Sequence, residues 1–276
     1  MESLEVSAGM WCKNCNIETN ESECPICGAK TEEDLPTEVY WCNHCMTPII
    51  QVTNQSDKGV CPICGQKTKY MTTDIRPVFP EERLLLEILL GKTPHEYIES
   101  SVWSVNSRYF IDGKSISIPS GLFQTADADS IRAKVEQYAG NNSYEYFNKH
   151  IKTFIQANMN RLNYLKDESF DFVRKTASKF DEERLVISFS GGKDSTVTAD
   201  VVVKALSNPS LVHIFGNTTL EFPSTVAYAD RFRENHPQAI FLYAKNDEQV
   251  FMDVCEDIGP PARMMRWCCS MFKTGP

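Results

Sequence analysis

Eight cysteines within the first 64 residues form four Cys-x-x-Cys pairs, and the pairs repeat. Trp11-Cys12-Lys13-Asn14-Cys15 recurs as Trp41-Cys42-Asn43-His44-Cys45, and Cys24-Pro25-Ile26-Cys27-Gly28 recurs as Cys61-Pro62-Ile63-Cys64-Gly65. Both copies then run on to Lys-Thr; eight residues separate the pairs in the first copy and fifteen in the second. Two thiolates spaced this way reach one ion from a tight turn, and the glycine after the second cysteine tolerates the positive φ of such a turn. Two facing turns offer four sulfurs in a tetrahedron, which suits Zn²⁺. About thirty residues cannot bury enough apolar surface to fold alone, so a metal would supply much of the folding energy. The pattern predicts two Cys₄ zinc ribbons over residues 1–70. One Zn²⁺ would be held by Cys12, Cys15, Cys24 and Cys27, the second by Cys42, Cys45, Cys61 and Cys64. Rubredoxin-like iron uses the same knuckles, and redox-active pairs are a third reading. His44 sits inside a complete pair and is left out as a ligand.

The other cysteines are Cys255, Cys268 and Cys269, for a total of 11. An odd count in clustered pairs argues against a secreted disulfide framework. The first ten residues carry no basic start and no apolar stretch, so the expectation is a cytoplasmic protein in a reducing compartment. No apolar run approaches the ~20 residues of a membrane span, so no membrane partner is expected.

The 276 residues suggest roughly two domains. The net charge of −9 is unevenly spread: −5 over residues 1–70, neutral over 71–180 and −4 over 181–276. This is not the footprint of a protein that coats nucleic acid. The ribbons would dock a protein or a nucleic acid, or only hold a shape, and the acidic balance favours protein or shape. A local basic cluster, Arg263, Arg266 and Lys273, has no acid within it.

Residues 71–180 carry no chemical motif and read as mainly helical with one hairpin. A helix is expected from Pro80 to Leu90, stopping at Gly91. Thr93-Pro94-His95-Glu96 has the capping-box pattern of a second, short helix. Tyr109 to Ile118 reads as a hairpin turning at Asp112-Gly113. Phe147, Ile151, Phe154, Ile155, Met159 and Leu162 recur at helical spacing. Trp103, Tyr138, Tyr144 and Tyr146 are read as core rather than as a base-stacking surface, and His95 and His150 as structural.

Residues 181–276 alternate strand and helix. Arg184 to Phe189 reads as a buried strand, Val197 to Leu206 as a helix, Leu211 to Phe215 as a second strand, Ser224 to Asn235 as a helix, and Ala239 to Tyr243 as a third strand. Another helix is expected from Asn246. The fold class is α/β: a doubly wound, Rossmann-like parallel sheet covered on both faces, preceded by the helical middle and the ribbons. Between the first strand and its helix stands Ser190-Gly191-Gly192-Lys193-Asp194-Ser195-Thr196. Strand, glycine-rich turn, helix is the context in which free N–H groups cradle phosphate or sulfate. Lys193 would add charge, and Asp194 would cap the helix or hold a cation. The spacing fits neither the usual nucleotide P-loop nor the dinucleotide fingerprint. Ligands of such sheets sit beyond the carboxyl ends of the strands, so this loop and Gly216-Asn217-Thr218-Thr219 should face one ligand.

Ser188 to Thr196 resembles the pyrophosphate loop of the adenine nucleotide α-hydrolase superfamily. Gly216 to Thr225 and Arg263 to Pro276 resemble segments of the phosphoadenosine phosphosulfate reductases within it. The resemblance covers residues 181–276 and implies a five-stranded sheet that holds an adenine nucleotide with its phosphosulfate on the loop. It implies that Ser190, Gly191, Gly192, Lys193, Asp194, Ser195 and Thr196 meet the phosphate or sulfate end, with Lys193 and Asp194 at the reacting group. Glu221, Phe222 and Pro223 would line the pocket, and Arg263, Arg266 and Lys273 would meet further anionic groups. Cys268-Cys269 resembles half of the signature that holds a [4Fe–4S] cluster in adenylylsulfate reductases; the other half would lie past residue 276. The family's C-terminal redox cysteine is not found, which reads as a chain cut from a longer protein. The resemblance implies a sulfur-metabolism oxidoreductase with a thiol or thioredoxin-like electron donor. The alternatives are an ATP pyrophosphatase-type sulfurtransferase, with Mg²⁺ and ATP, acting on tRNA or DNA, and a non-catalytic nucleotide sensor with docking ribbons.

Overall fold

The computed structural model describes residues 10–12, 15, 17–19, 21–33, 37–52, 58–119, 121–122, 126–273 and 275. The chain divides into two compact units, Met1–Tyr164 and Leu165–Pro276.

The first unit opens with the two cysteine-paired ribbons. In the first, β1 (Met10–Cys12) pairs antiparallel with β2 (Ile17–Thr19) and β3 (Glu32–Glu33). In the second, β4 (Thr37–Cys42) lies between β5 (Thr47–Val52) and β6 (Lys69–Thr72). Gly28 and Gly65 both take positive φ, 67° and 71°.

The rest of this unit holds a sheet larger than the expected hairpin. β7 (Arg76–Pro77), β8 (Val102–Val105), β9 (Arg108–Ile111) and β10 (Lys114–Ser117) form an antiparallel four-stranded sheet in the order β10-β9-β8-β7. The expected turn is present: Ile111 pairs with Lys114 across Asp112 and Gly113, both at positive φ. Helix α1 (Pro80–Leu89) starts on its proline. Residues 94–99 form turns rather than the expected short helix. The capping contact exists, with Thr93 N donating to Glu96 at 3.2 Å. However, His95 sits at φ 67°, and the amides of His95 and Tyr97 are taken by the buried Glu87 carboxylate at 2.6 and 2.8 Å. A side chain that captures both amides supports a turn and not a continuing helix.

Three helices follow: α2 (Ala128–Ala139), α3 (Glu145–Ala157) and α4 (Met159–Ala177), the last containing the division between the units. The apolar stripe of α3 and α4 is only partly buried. Ile151 and Phe154 pack on Trp41, Trp103 and Phe110, whereas Ile155, Met159 and Leu162 remain exposed. Trp103 is core, as expected; Tyr144 and Tyr146 donate to Glu81 and Glu99.

In the second unit β11 (Val186–Phe189), β12 (Val212–Gly216) and β13 (Ile240–Ala244) form a parallel sheet in that order. Helices α5 (Lys193–Leu206) and α6 (Pro223–Asn235) connect them. Ala199, Val202 and Val203 of α5 and Ala229 and Phe232 of α6 share one cluster with Ile187, Phe189, Phe215 and Phe241. Both connecting helices therefore lie on the same face. This follows from topology, because right-handed crossovers between strands taken in sequential order all fall on one side. On the other face Val186, Ile240 and Leu242 are exposed. Two-sided cover needs the strand order to reverse, and among the described strands it does not. Each of the buried phenylalanines contributes roughly 1.5–3 kcal/mol. The unit closes with α7 (Phe251–Ile258) and α8 (Trp267–Phe272), which share the cluster of Phe251, Val254 and Phe272. Asn246 accepts the amides of Glu248 and Gln249, as its capping pattern implied, although α7 begins only at Phe251. No helix among the described residues is long and apolar enough to cross a membrane.

Candidate functional site

Two places concentrate chemistry. At the front, the Sγ atoms of Cys12, Cys15, Cys24 and Cys27 lie within 4.8 Å of one another, and so do those of Cys42, Cys45, Cys61 and Cys64. Individual separations are 3.6 Å for Cys12–Cys27, 3.6 Å for Cys42–Cys64 and 3.8 Å for Cys45–Cys61. A tetrahedron with Zn–S bonds of about 2.3 Å has edges of about 3.8 Å, so both sets can hold zinc. Without metal the thiols of each set split: Cys27 pushes its neighbour Cys15 up to about 12 and burial raises Cys42 and Cys45, while backbone amides favour the thiolate at one cysteine of each set. The amide of Ala29 holds the Cys27 thiol down at about 6, and that of Gln66 lowers Cys64. The amides of Cys15 and Cys45 point to the sulfurs of Cys12 and Cys42 at 3.4 Å. His44 stays outside both sets.

The second place is the carboxyl end of the parallel sheet. Helix α5 begins at Lys193, earlier than the Val197 expected from the sequence. Lys193 to Thr196 therefore form its first turn, and the connecting loop is only Ser190-Gly191-Gly192. Thr196 N donates to the Gly192 carbonyl at 3.1 Å, whereas the amides of Lys193, Asp194 and Ser195 precede the first helical carbonyl they could reach and carry the positive end of the helix dipole. The Gly192 carbonyl accepts from Ser195 Oγ at 3.0 Å and from Thr196 Oγ1 at 2.9 Å. Ser190 Oγ donates to Ser195 Oγ at 3.1 Å. These contacts fix the loop and leave its outer side to solvent. Gly191 has φ 72°, and a Cβ there would lie 3.1 Å from Thr225 Cγ2. The loop thus needs glycine both for conformation and for the approach of α6. Lys193 and Asp194 pair with each other at 2.6 Å in the open, so both charges remain available to a ligand.

The end of β12 lies beside this loop. Asn217 Oδ1 accepts the amide of Thr219, which sits at φ 72°. Glu221 accepts the Thr218 hydroxyl at 2.8 Å. Phe222 and Pro223 are exposed, with Phe222 at 77%, so an apolar ring faces solvent at the start of α6. The Lys273 carbonyl approaches Gly216, which puts Lys273 at the same strand end. Arg263 and Arg266 are exposed on the turn before α8, where Arg266 Nε donates to Arg263 O at 3.3 Å. Cys268 and Cys269 are adjacent on α8. Burial raises the Cys268 thiol first of all, and its neighbour adds to the shift. Two thiols alone do not complete the four-cysteine set of a [4Fe–4S] cluster. Cys255 packs in the cluster of Phe251 and Phe272, consistent with a core thiol.

Two residues of α6 escaped the sequence reading. Tyr228 has its hydroxyl 3.1 Å from Thr196 Oγ1, and Thr225 backs Gly191. Thr225, Tyr228, Ala229 and Phe232 recur at helical spacing, and that periodicity marks the face turned toward the sheet and the loop.

The chain is similar to two uncharacterized proteins of Methanocaldococcus jannaschii. One is 30% identical over 129 residues, 46% of this chain and 30% of the relative. The other is 28% identical over 142 residues, 51% of this chain and 28% of the relative. It is also similar to sulfate adenylyltransferase subunit 2 of Streptomyces lavendulae, 38% identical over 77 residues, 26% of this chain and 23% of the relative. The chain spans under a third of the length of the curated relatives it matches. Residues 184–276, which contain the loop, the sheet and the basic cluster, match the phosphoadenosine phosphosulfate reductase domain family.

Proposed function

We propose that residues 184–276 bind an adenine nucleotide with its phosphosulfate on the Ser190–Thr196 loop and act as a reductase-type enzyme of sulfur metabolism. The observation that carries this reading is the loop itself. A glycine turn, braced by the Ser195 and Thr196 hydroxyls, runs straight into a helix start at the carboxyl end of a parallel strand, where the amides of Lys193, Asp194 and Ser195 have no helical carbonyl to bond and the Lys193 side chain is exposed. Anionic oxygens held there lose charge repulsion toward an incoming thiolate. The thiolate would attack the sulfonyl sulfur, forming an S–S bond as the S–O bond to the nucleotide phosphate breaks. The departing phosphate takes the electron pair and is stabilised by the same amides and cations. Lys193, Arg263, Arg266 and Lys273 would supply positive charge; Asp194 lies inside the first turn of α5, where Gly192 is the cap and no side chain caps the helix, so it would hold a cation rather than cap α5. A second thiol, from a dithiol donor, would then release sulfite.

A second reading has its own support. The similarity to sulfate adenylyltransferase subunit 2 favours ATP as the nucleotide, with an α-phosphate transfer that expels pyrophosphate. In that case the loop would hold pyrophosphate, and Asp194 would help position Mg²⁺. One experiment separates the two readings. Thiol-dependent sulfite release from adenosine phosphosulfate or its 3′-phosphorylated form supports the first. Pyrophosphate release from ATP, with no turnover of either phosphosulfate, refutes the first and supports the second.

The front sites are proposed as structural zinc ribbons. Their acidic surroundings favour a protein partner or a purely architectural role over nucleic acid.

A further inference from the structure

Glu221 offers an acceptor that no described residue uses. It lies between β12, which ends at Gly216, and α6, which starts at Pro223. Its Oε1 accepts the Thr218 hydroxyl at 2.8 Å, while its Oε2 is buried and has no hydrogen-bond partner among the described residues. An acceptor shut away from water without a donor is costly, and such groups in folded proteins usually mark a missing partner.

The chemistry of that partner is constrained. Sulfate, phosphate and pyrophosphate present mainly acceptors near neutral pH, and their charge opposes a carboxylate. The loop asks for an anionic end, whereas Glu221 asks for a hydroxyl or amino hydrogen. A nucleotide carries both. Position narrows the choice further. The first turn of α6 lies against the loop, because a Cβ on Gly191 would sit 3.1 Å from Thr225 Cγ2. Glu221 stands four residues before Thr225, within about 14 Å of fully extended chain. The ribose is the donor-bearing group bonded directly to the nucleotide's phosphate, and the adenine amino group lies farther out.

We propose that Glu221 Oε2 accepts a hydrogen bond from a ribose hydroxyl of the bound nucleotide, so that the site selects ribonucleotides over their deoxy forms and over bare anions. This rests on the nucleotide reading above and adds to it the group that discriminates.

The test is calorimetric titration of the full zinc-loaded chain with ATP, 2′-deoxy-ATP, 3′-deoxy-ATP, inosine triphosphate and inorganic pyrophosphate. The proteins are the wild type, Glu221→Gln and Glu221→Ala. A hydrogen bond to a charged acceptor predicts that one deoxy form binds the wild type about ten- to a hundredfold more weakly than ATP. In Glu221→Ala, ATP should fall to that same level and the deoxy preference should vanish, while pyrophosphate binds at least as well as before. Glu221→Gln, nearly identical in shape, should give an intermediate loss. Equal weakening of every ligand, pyrophosphate included, would mean that Glu221 only shapes the turn and would overturn the proposal. So would loss of ATP-over-inosine preference instead, which would make the amino group the donor. ATP binding without deoxy discrimination in the wild type sinks this proposal alone. Pyrophosphate binding with neither ATP nor, in a parallel titration, adenosine phosphosulfate bound sinks the nucleotide reading as well.

Discussion

Asn158 accepts the amide hydrogen of Ile50 through Oδ1 at 2.6 Å and donates through Nδ2 to the Pro48 carbonyl at 3.1 Å. One amide side chain thus seals the free edge of β5. The same side chain donates to Phe154 O at 2.8 Å, which ties that edge to the end of α3. Beside it Ala157 packs against Cys42, Ile49 and Cys61. The second ribbon is therefore built into the first unit by a buried polar contact as well as by its cysteines. Asn158→Ala leaves a donor and an acceptor unpaired and should cost about 2–3 kcal/mol. Chemical denaturation followed by tryptophan fluorescence would read the loss.

Each cysteine set should hold one zinc, so the purified chain should contain two metals and be colourless. Cys24→Ser should remove one metal and leave the second ribbon in place. Cys61→Ser should also remove one, but at a larger cost in stability, because Cys61 belongs to the cluster that holds Ile49 and Ala157. Elemental analysis together with thermal melting separates these outcomes. A coloured protein with an iron-thiolate absorption band would contradict the zinc assignment.

Gly113 occupies a turn position at φ 75°, and a Cβ there would fall on the indole ring of Trp41. Trp41 is buried in the cluster with Trp103 and Phe110. Gly113→Ala combines backbone strain with overpacking and should destabilise the first unit by roughly 2–4 kcal/mol. Gly140→Ala is the control: nothing lies within 4 Å of its Cβ position, and its φ is −64°. That variant should be neutral or slightly stabilising.

His213 is buried in β12, stacked on Phe241 and near Phe232, with Nδ1 2.9 Å from Leu211 O. Burial holds its pKa below the ordinary 6.5, and the charge of His236 pushes the same way. The unfolded chain therefore binds the proton more readily than the folded one. Stability from this residue is fully present above about pH 6.5 and is lost as the pH falls through the lower folded value. Thermal midpoints measured from pH 7.5 to 5.5 should drop for the wild type. His213→Phe should flatten that slope; an unchanged slope would assign the acid sensitivity elsewhere.

The sequence shows most where the chemistry is local. The cysteine pairs and the Asp112-Gly113 turn specify their geometry within a few residues and appear where expected, whereas of the expected Ser190–Thr196 loop only Ser190-Gly191-Gly192 is loop and the rest is the first turn of α5. The four-stranded sheet was not legible beyond its hairpin, because β7 spans only Arg76–Pro77 and pairs with residues 103 and 104 far along the chain. The turn at His95 was hidden because Glu87, on another element, takes the amides that a helix would have used. Asn158 read as one more polar residue in a helical stripe, since nothing local marks it as the seal of a distant edge. At the site, Tyr228 and Thr225 were missed because their role comes from the packing of α6 on the loop.

On the proposed function, the first-turn amides of α5 hold the anionic end of a nucleotide. Gly192 has φ −84° and ψ 167°, a conformation compatible with a following proline, and Lys193 is the first helical residue. Lys193→Pro should therefore keep the helix while removing one free amide, and Lys193→Ala removes the same side-chain charge but keeps that amide. The decisive measurement is the dissociation constant of adenosine phosphosulfate, or of ATP, for these two variants, with thermal midpoints confirming equal folding. Binding to Lys193→Ala should be weaker than to the wild type, with a further loss of about tenfold or more in Lys193→Pro. Equal affinity in the two variants would contradict it, because the amide would then not touch the ligand.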